Sequence, residues 1–225
     1  MGTGSVGQTL AERLAATGHE VMLGTRDVAK TLAKTEKNMY GGPSFSEWYA
    51  GNKQVKLGTF ADAAAFGELV INATQGSNAL GALALAGSAN LKSKILVDVS
   101  NPLDFSKGLP PTLIPEFCNS NSLGEEIQNN YPQTKVVKAL NTMWCGLMLN
   151  PGLIGNGAHD VFICGNDPKA KAEVTTLLQQ FGWQTQHILD LGDITAARGT
   201  EMILPVWLRI MGTIGNGAFN LRVVK

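Results

Sequence analysis

An α/β fold with a doubly wound parallel β-sheet is the class that the sequence predicts, and three observations support it. Helix-prone and strand-prone segments alternate along most of the chain. The strand-prone segments are continuous apolar runs, such as "LVINAT" at 69–74, a pattern typical of parallel strands that helices cover on both faces. A glycine-rich stretch, "GTGSVG" at 2–7, opens the first helix, as it does in a Rossmann-like nucleotide-binding unit.

The elements are placed in order by apolar spacing and by capping residues. Val6, Leu10 and Leu14 recur every four residues and predict the first helix, which should end at Gly18. Asp167 and Pro168 are the predicted N-cap and first residue of the helix at 167–182. Strands are predicted at 20–26, 55–59, 69–74, 94–102, 135–141 and 160–165. Further helices are predicted at 27–37, 60–67 and 122–132 and between the third and fourth strands, with an irregular connection at 38–52 containing one helical turn.

The last part of the chain differs from the rest. From Asp193 onward no strand is evident, and the sequence is apolar and helix-prone with an interruption at Pro205. We therefore expect a Rossmann-like domain at 1–192 and a small helical segment at 193–225. The segment is more apolar than a surface helix requires, so it should pack on the sheet domain and on another subunit.

Composition excludes several classes of function. Eighteen basic residues balance eighteen acidic ones, so no overall field attracts nucleic acid or an anionic membrane. No signal peptide and no membrane-length apolar run is evident. The three cysteines form no CxxC pair and suit a reduced, cytoplasmic protein, and the three scattered histidines indicate no metal site.

The glycine stretch has the spacing and the context of a dinucleotide-binding loop. Gly2 would make the tight turn, Gly4 would admit the pyrophosphate, and Gly7 would let the helix lie close to the sheet. The phosphates would bind the free N–H groups at the start of that helix. The alternative is a glycine turn that holds no ligand.

The end of the second predicted strand indicates which dinucleotide is bound. An acidic residue usually holds the ribose 2′-hydroxyl of NAD there, whereas this chain has Gly24, Thr25 and Arg26. A hydroxyl and a guanidinium suit the 2′-phosphate of NADP, and Lys30 adds a second cation from the next helix. The alternative is that Arg26 and Lys30 are solvated surface charges.

Small polar residues occur at three other strand ends, and parallel strands place their carboxyl ends along one crevice. Their amides and hydroxyls would fix the ribose and the nicotinamide by hydrogen bonds without adding charge. A turn signal alone could explain the Asn-Pro pair. The candidate residues at these strand ends are Asn72, Ala73, Thr74, Asn101, Pro102 and Asn141.

No lysine or histidine at these ends clearly suits a general acid or base, because Lys138 and Asp98 lie inside strands. Reduction of a carbonyl needs a proton donor, whereas hydride exchange between two rings depends mainly on placing two carbons face to face. The sequence therefore favours a flavin-like or quinone-like acceptor. The loop at 142–157 could still contain a donor, and no catalytic residue is assigned.

Several stretches together resemble the NADP oxidoreductases that depend on coenzyme F420, a fold shared by the reductase domain of the STEAP metalloreductases. They are "GTGSVGQTLAERLAATGHEVMLGTRD", "VINAT", "VDVSNPLDF", "VVKALNTM", "FICGND" with "LLQQFGW", and "LGDITAARGTEMILPVWLRI", and they cover nearly the whole chain. The resemblance implies NADPH binding, a C-terminal part that helps to form the acceptor pocket, a homodimer, and hydride transfer to a deazaflavin by positioning. It implies that the pyrophosphate is held by Gly2, Thr3, Gly4, Ser5 and Val6. It also implies that Thr25, Arg26 and Lys30 hold the 2′-phosphate, and that Thr74, Asn101 and Asn141 lie near the ribose and nicotinamide.

The leading hypothesis is an NADPH-dependent oxidoreductase acting on a small redox acceptor, either F420 or a flavin. Two alternatives stay open: a reductase of a small carbonyl or imine compound, and a non-catalytic protein that senses NADPH.

The beginning of the chain conflicts with this fold. The first strand of the fold is central, lying between the strands that end at Gly24 and Thr74, yet only Met1 precedes the glycine loop. Unpaired inner strands would leave backbone groups unsatisfied, so we expect several apolar residues before Met1 in the natural chain. Otherwise the two neighbouring strands close up, or a partner supplies the missing strand.

Overall fold

A computed structural model describes residues 1–37 and 41–224 and has the predicted α/β architecture. Its strands are β1 (Val21–Thr25), β2 (Val55–Thr59), β3 (Leu69–Asn72), β4 (Ile95–Asp98), β5 (Leu103–Asp104), β6 (Thr112–Leu113), β7 (Lys135–Ala139), β8 (Val161–Gly165) and β9 (Ile188–Asp190). Its helices are α1 (Ser5–Ala16), α2 (Val28–Leu32), α3 (Phe45–Gly51), α4 (Phe60–Phe66), α5 (Ala79–Ala86), α6 (Ser88–Leu91), α7 (Leu123–Asn130), α8 (Cys145–Met148), α9 (Pro168–Gln180), α10 (Ala197–Met202) and α11 (Leu204–Ile214). Short 3₁₀ turns lie at Gly76–Asn78, Pro115–Phe117, Pro151–Leu153, Gly155–Gly157, Thr185–His187 and Ile194–Ala196.

The main sheet has five strands in the order β3-β4-β7-β8-β9, and β1 pairs with β2 in a separate parallel sheet. The β3-β4, β4-β7 and β8-β9 pairs are parallel, as the sequence predicts. The β7-β8 pair is antiparallel, which corrects the expectation of a wholly parallel sheet. Apolar runs that are buried on both faces do not encode strand direction, so the sequence pattern could not reveal this reversal.

Helices cover both faces of the main sheet, and side chains alternate between two apolar clusters. Ile95 and Val97 of β4 pack with Leu10 of α1 and Val174 of α9 on one face. Leu96, between them in the strand, packs on the other face with residues of α5, α7 and α10. This alternation follows from the period of two in a β-strand.

Met1 and Gly2 lie between the two sheets, at the position of the expected first strand. Met1 pairs with the β3 side: its N-terminal ammonium donates to the Ile71 carbonyl (2.6 Å), and its carbonyl accepts from the Ala73 N–H (2.9 Å). The Gly2 N–H donates to the Gly24 carbonyl on the β1 side (3.0 Å). Beyond Met1, a cavity of about 590 Å³ separates β1 from β3, so the two strands have not closed up on each other.

The predicted helices and strands are otherwise confirmed with shifts of their ends, except that the helix predicted at 27–37 is shorter than expected and ends at Leu32. Asp167 caps α9 by accepting from the Ala170 N–H (2.9 Å), with Pro168 in the first turn, as expected. The short strands β5, β6 and β9 were not predicted from the sequence. The connection at 38–52 contains α3, a two-turn helix with a capping box at Ser44 and Glu47, while residues 38–40 lie outside the described residues.

The C-terminal segment is less helical than expected. The helix break precedes Pro205, because Pro205 occupies the first turn of α11, and the chain after Ile214 forms no regular helix in the residues described. Gly215 ends α11 with a positive φ of 82°. Within the described chain, no helix has the length and apolar character needed to cross a membrane. The three cysteines are free thiols.

Candidate functional site

The glycine loop is shaped by two close approaches of its backbone. Gly2 has a φ of 103°, and a Cβ atom there would lie 2.5 Å from the Ala73 carbonyl oxygen. A Cβ atom on Gly7 would lie 2.0 Å from the Gly2 carbonyl oxygen. Only glycine fits either position, so the loop folds tightly and α1 begins directly against it. At Gly4, by contrast, a Cβ atom would meet nothing within 4 Å, so this residue faces open space.

A crevice of about 710 Å³ runs over this loop and along the carboxyl ends of β1 and β3. This is the edge where open α/β sheets bind ligands. Eight of the predicted residues line it: Gly2, Thr3, Gly4, Thr25, Arg26, Lys30, Ala73 and Thr74. The other predicted residues are outside this lining, and they are Ser5, Val6, Gly7, Asn72, Asn101, Pro102 and Asn141.

Ser5 and Val6 form the first turn of α1, which follows Gly4 as the N-cap. The first-turn amides of a helix have no intrahelical partner, and the helix dipole adds partial positive charge there. The turn is therefore suited to an anion above Gly4.

One end of the crevice is cationic. Arg26, Lys30 and Lys34 line it together with a single carboxylate, that of Asp27. That carboxylate is already engaged: its Oδ1 accepts from the Lys30 backbone N–H (2.9 Å) as the N-cap of α2, and its Oδ2 lies 3.8 Å from the Lys30 Nζ. Lys34 was not predicted as a site residue, and it lies just after the end of α2.

Thr25 is the buried member of this group. Its hydroxyl lies 2.7 Å from that of Thr31 on α2, and the residue is only 7% exposed. The hydroxyl pair holds α2 against the end of β1, close to Arg26 and Lys30.

The other end of the predicted site lies where β4 and β7 finish. The Asn101 Nδ2 donates to the Asn141 carbonyl (2.7 Å), and the Asn141 Nδ2 donates to the Asn101 Oδ1 (3.0 Å). The two asparagines thus bind each other across neighbouring strand ends. The Asn141 Oδ1 is buried and has no partner in the structure, which leaves it as an acceptor for a ligand N–H.

Asn72, in contrast, lies beneath the crevice. It is fully buried, its Nδ2 donates to Asp98 (2.8 Å), and its Oδ1 accepts from the Thr74 hydroxyl (2.7 Å). It therefore orients Thr74 from below. Pro102 is also buried, next to Asn101.

These features fit a dinucleotide that carries a 2′-phosphate. Gly4 leaves room for a pyrophosphate, the cationic end suits a further phosphate, and the orphaned Asn141 Oδ1 suits a carboxamide N–H. A carboxylate free to take a ribose 2′-hydroxyl is missing from this lining, since Asp27 is occupied by its own helix.

Lys138 cannot supply protons to this crevice. It is buried in β7, where its Nζ lies 2.7 Å from each of Asp98 Oδ2 and Glu201 Oε1. Burial alone would lower the pKa of Lys138, but the charges and hydrogen bonds of these carboxylates outweigh burial and raise that pKa. In the described chain, no three His, Cys, Asp or Glu side chains are grouped as a metal site requires.

The doubly wound sheet and its glycine loop define a Rossmann-like α/β protein. Comparison with known proteins is more specific. The model of the family described as coenzyme F420-dependent NADP oxidoreductase matches residues 1–102. A crystal structure of a candidate F420-dependent NADP-reductase from Arthrobacter sp. FB24 is 53% identical, with a TM-score of 0.93, over 100% of this chain and 97% of that one. The chain therefore belongs to the family of F420-dependent NADP oxidoreductases.

More distant relatives agree with this assignment. The F420-dependent NADP reductase of Methanocaldococcus jannaschii is 29% identical over 208 residues, which are 91% of this chain and 87% of that protein. The metalloreductase STEAP3 of Rattus norvegicus is 28% identical over 213 residues, which are 92% of this chain but only 37% of that larger protein.

Proposed function

We propose that this protein transfers hydride between NADP(H), held in the crevice over the glycine loop, and a deazaflavin of the F420 type. The same reasoning admits a flavin as the acceptor. When bound, NADPH would supply a hydride to the acceptor ring, which would take its proton from solvent; the protein's own residues would bind and orient the two rings.

The observation that carries the proposal is the cationic end of the crevice, together with the pair of neutral asparagines at the neighbouring ends of β4 and β7, which form the neutral end of the predicted site. Arg26 and Lys30 would hold the 2′-phosphate, and the turn from Gly2 to Val6 would hold the pyrophosphate. The orphaned Asn141 Oδ1, together with Asn101 and Thr74, would orient the nicotinamide and its ribose.

The acceptor assignment rests on the chemistry of the neutral end. Asn101 and Asn141 bind each other and carry no titratable group, and Lys138 is enclosed beneath them by carboxylates. Transfer between two rings needs alignment more than a side-chain acid, because neither ring requires an alkoxide to be protonated. The names of the relatives, which are F420-dependent NADP reductases, support the same acceptor.

Three expectations from the sequence belong to the same proposal, and they concern the acceptor pocket, the oligomeric state and the cellular location. The segment at 193–225 would contribute to the acceptor pocket and to a homodimer, through apolar side chains such as Val206 and Ile214, each about half exposed on α11. The free thiols suit a reducing, cytoplasmic setting. Sedimentation of the purified protein at several concentrations would test the dimer.

The function is tested by mixing the purified protein with NADPH and, separately, oxidised F420, FMN, a quinone, a small ketone and a cyclic imine. Oxidation of NADPH is followed together with loss of the oxidised acceptor. The proposal expects rapid turnover with F420, with flavin next, and no turnover with the ketone or imine. Binding of NADPH without reduction of F420, flavin or quinone would overturn it and favour a sensing role, whereas turnover of the ketone or imine would favour a carbonyl or imine reductase.

A further inference from the structure

A buried cluster of charges lies beneath the neutral end of the predicted site. Lys138, Asp98 and Glu201 have side chains that are 0% exposed, and the lysine ammonium bridges the two carboxylates at 2.7 Å on each side. A cluster of this kind is weak evidence for stability, because well-packed apolar residues of similar volume are often as stable. Because burying three charges costs free energy, we expect the cluster to have a positional role.

The cluster holds the ends of the strands from below. The Lys138 Nζ also donates to the Ser100 carbonyl (2.7 Å). Ser100 directly precedes Asn101 in the chain. The Asp98 Oδ1 accepts from the Ser100 hydroxyl (2.7 Å) and from the Asn72 Nδ2 (2.8 Å). Since Asn72 in turn binds the Thr74 hydroxyl, one continuous set of hydrogen bonds reaches two strand ends of the predicted nicotinamide and ribose site.

The cluster also fastens the C-terminal segment to these strand ends. Glu201 lies on α10, and its two oxygens accept from the backbone N–H groups of Leu123 (2.9 Å) and Gly124 (3.0 Å) at the start of α7. One carboxylate therefore caps a helix and neutralises Lys138 at the same time. A shift of α10 would move the ammonium, and with it the Ser100 carbonyl.

We propose that Lys138, Asp98 and Glu201 are positioning residues that set the strand ends at 72–74 and 100–101, and thereby the alignment of the nicotinamide half of the cofactor. This proposal rests on the proposed function, because that function names NADP(H) as the ligand. The adenosine half is held elsewhere, by the glycine loop and by Arg26 and Lys30, and should not depend on the cluster.

This difference between the two halves of the cofactor provides the test. In Glu201→Gln, which keeps the shape of the side chain but removes its charge, affinities for NADP⁺ and for adenosine 2′,5′-bisphosphate are measured by calorimetry. We expect NADP⁺ to bind about fivefold more weakly, or worse, while the bisphosphate, which lacks the nicotinamide, binds within about twofold of wild type. The rate of hydride transfer in a single turnover should fall about tenfold or more, because small misplacements of reacting atoms are costly.

Arg198→Met is the matched control. Arg198 also lies on α10 and also contacts α7, through the Glu125 carboxylate, but it does not touch the cluster. It should change neither affinity nor transfer rate, even where it lowers the thermal midpoint. If Glu201→Gln fails to fold, Asp98→Asn, which also keeps side-chain shape, is measured in the same way.

Equal affinities in variant and wild type, or equal weakening of both ligands, would overturn the positioning role and leave the cluster a purely structural one. Failure of the proposed function gives a different result, since the wild type would then fail to reduce F420, flavin or quinone. The binding comparison does not depend on that reaction.

Discussion

Gly4 and Gly7 stand three residues apart in one loop, yet a methyl group would meet different surroundings at each. At Gly7 it would collide with the Gly2 carbonyl, which is a structural constraint. At Gly4 it would enter open space over the loop, where the backbone φ of −76° is accessible to any residue. The only cost at Gly4 should therefore fall on a ligand that approaches the backbone.

Gly4→Ala should leave the thermal midpoint close to wild type and weaken NADPH binding about tenfold or more, because the methyl group excludes a closely approaching pyrophosphate. Affinity is measured by quenching of NADPH fluorescence, and the midpoint by circular dichroism. Gly212→Ala, at an open position in α11, serves as the control; it should leave NADPH affinity unchanged and keep or raise the thermal midpoint, because alanine favours a helix more than glycine does. Undiminished NADPH affinity in Gly4→Ala would show that the phosphates do not lie on this loop.

The sequence located candidate residues on strand ends and in the loop, and their roles in the site stay predictions. Arg26 and Asn101 are examples, since the end of each strand could be located from its apolar run. The Lys138 cluster was missed because its contacts are far apart in sequence: Asp98 and Lys138 are 40 positions apart, and Glu201 is 78 positions from the Leu123 N–H that it also binds. A lysine within an apolar strand was the available signal, since a buried lysine requires a partner.

Capping residues explain why the helices begin where they do. Ser122 precedes α7, accepts from the Glu125 N–H (3.1 Å) and donates to the Glu125 Oε2 (2.7 Å). It is fully buried, so water cannot replace it. The same helix start also receives Glu201 from α10. Two separate groups therefore satisfy the first-turn donors of this helix, as a buried helix end requires.

Ser122→Ala should lower the free energy of unfolding by ~1 kcal/mol, the usual cost of losing an N-cap side chain. Urea titration measures this value. The exposed Ser120, two residues earlier, provides a control, and Ser120→Ala should be neutral. A loss at Ser122 no larger than that at Ser120 would contradict the capping role.

The sequence predicted the helices and strands whose pattern is local. It did not predict the features that depend on how strands pair in the sheet. The periodicity of α1 and the cap of α9 were sufficient to place both helices. The direction of β8 and the existence of β9 depend on which neighbour each strand joins, and a buried apolar run does not carry that information. The end of α11 also departs from expectation, at a glycine with positive φ.

Across the whole molecule, the C-terminal segment is part of the main core. Ile194 and Ala197 belong to the apolar cluster on one face of the sheet, and Glu201 completes the cluster around Lys138. The division at residue 192 remains a prediction about sequence organisation. The contacts indicate that the two parts fold together.

A chain ending at residue 192 should therefore lose cooperative unfolding. Removing a partner of a buried charge costs about 3–5 kcal/mol, a large share of the 5–15 kcal/mol typical of a domain. Thermal unfolding followed by circular dichroism, with dye binding to exposed apolar surface, would detect the loss. A chain ending at residue 223, which removes the exposed Val224, should unfold like the full-length protein. A sharp transition at the wild-type midpoint for the shorter chain would contradict this account.

The most direct test of the central claim is the preference of the enzyme for NADPH over NADH in F420 reduction, compared between wild type and Arg26→Ala. The wild type should strongly prefer NADPH. Arg26→Ala should lower kcat/KM for NADPH about tenfold to a hundredfold while changing that for NADH little, because a charged hydrogen bond to phosphate is lost. Arg13→Ala, in the last turn of α1, should change neither. Equal losses with both cofactors in Arg26→Ala would contradict the assignment of this end of the crevice to the 2′-phosphate.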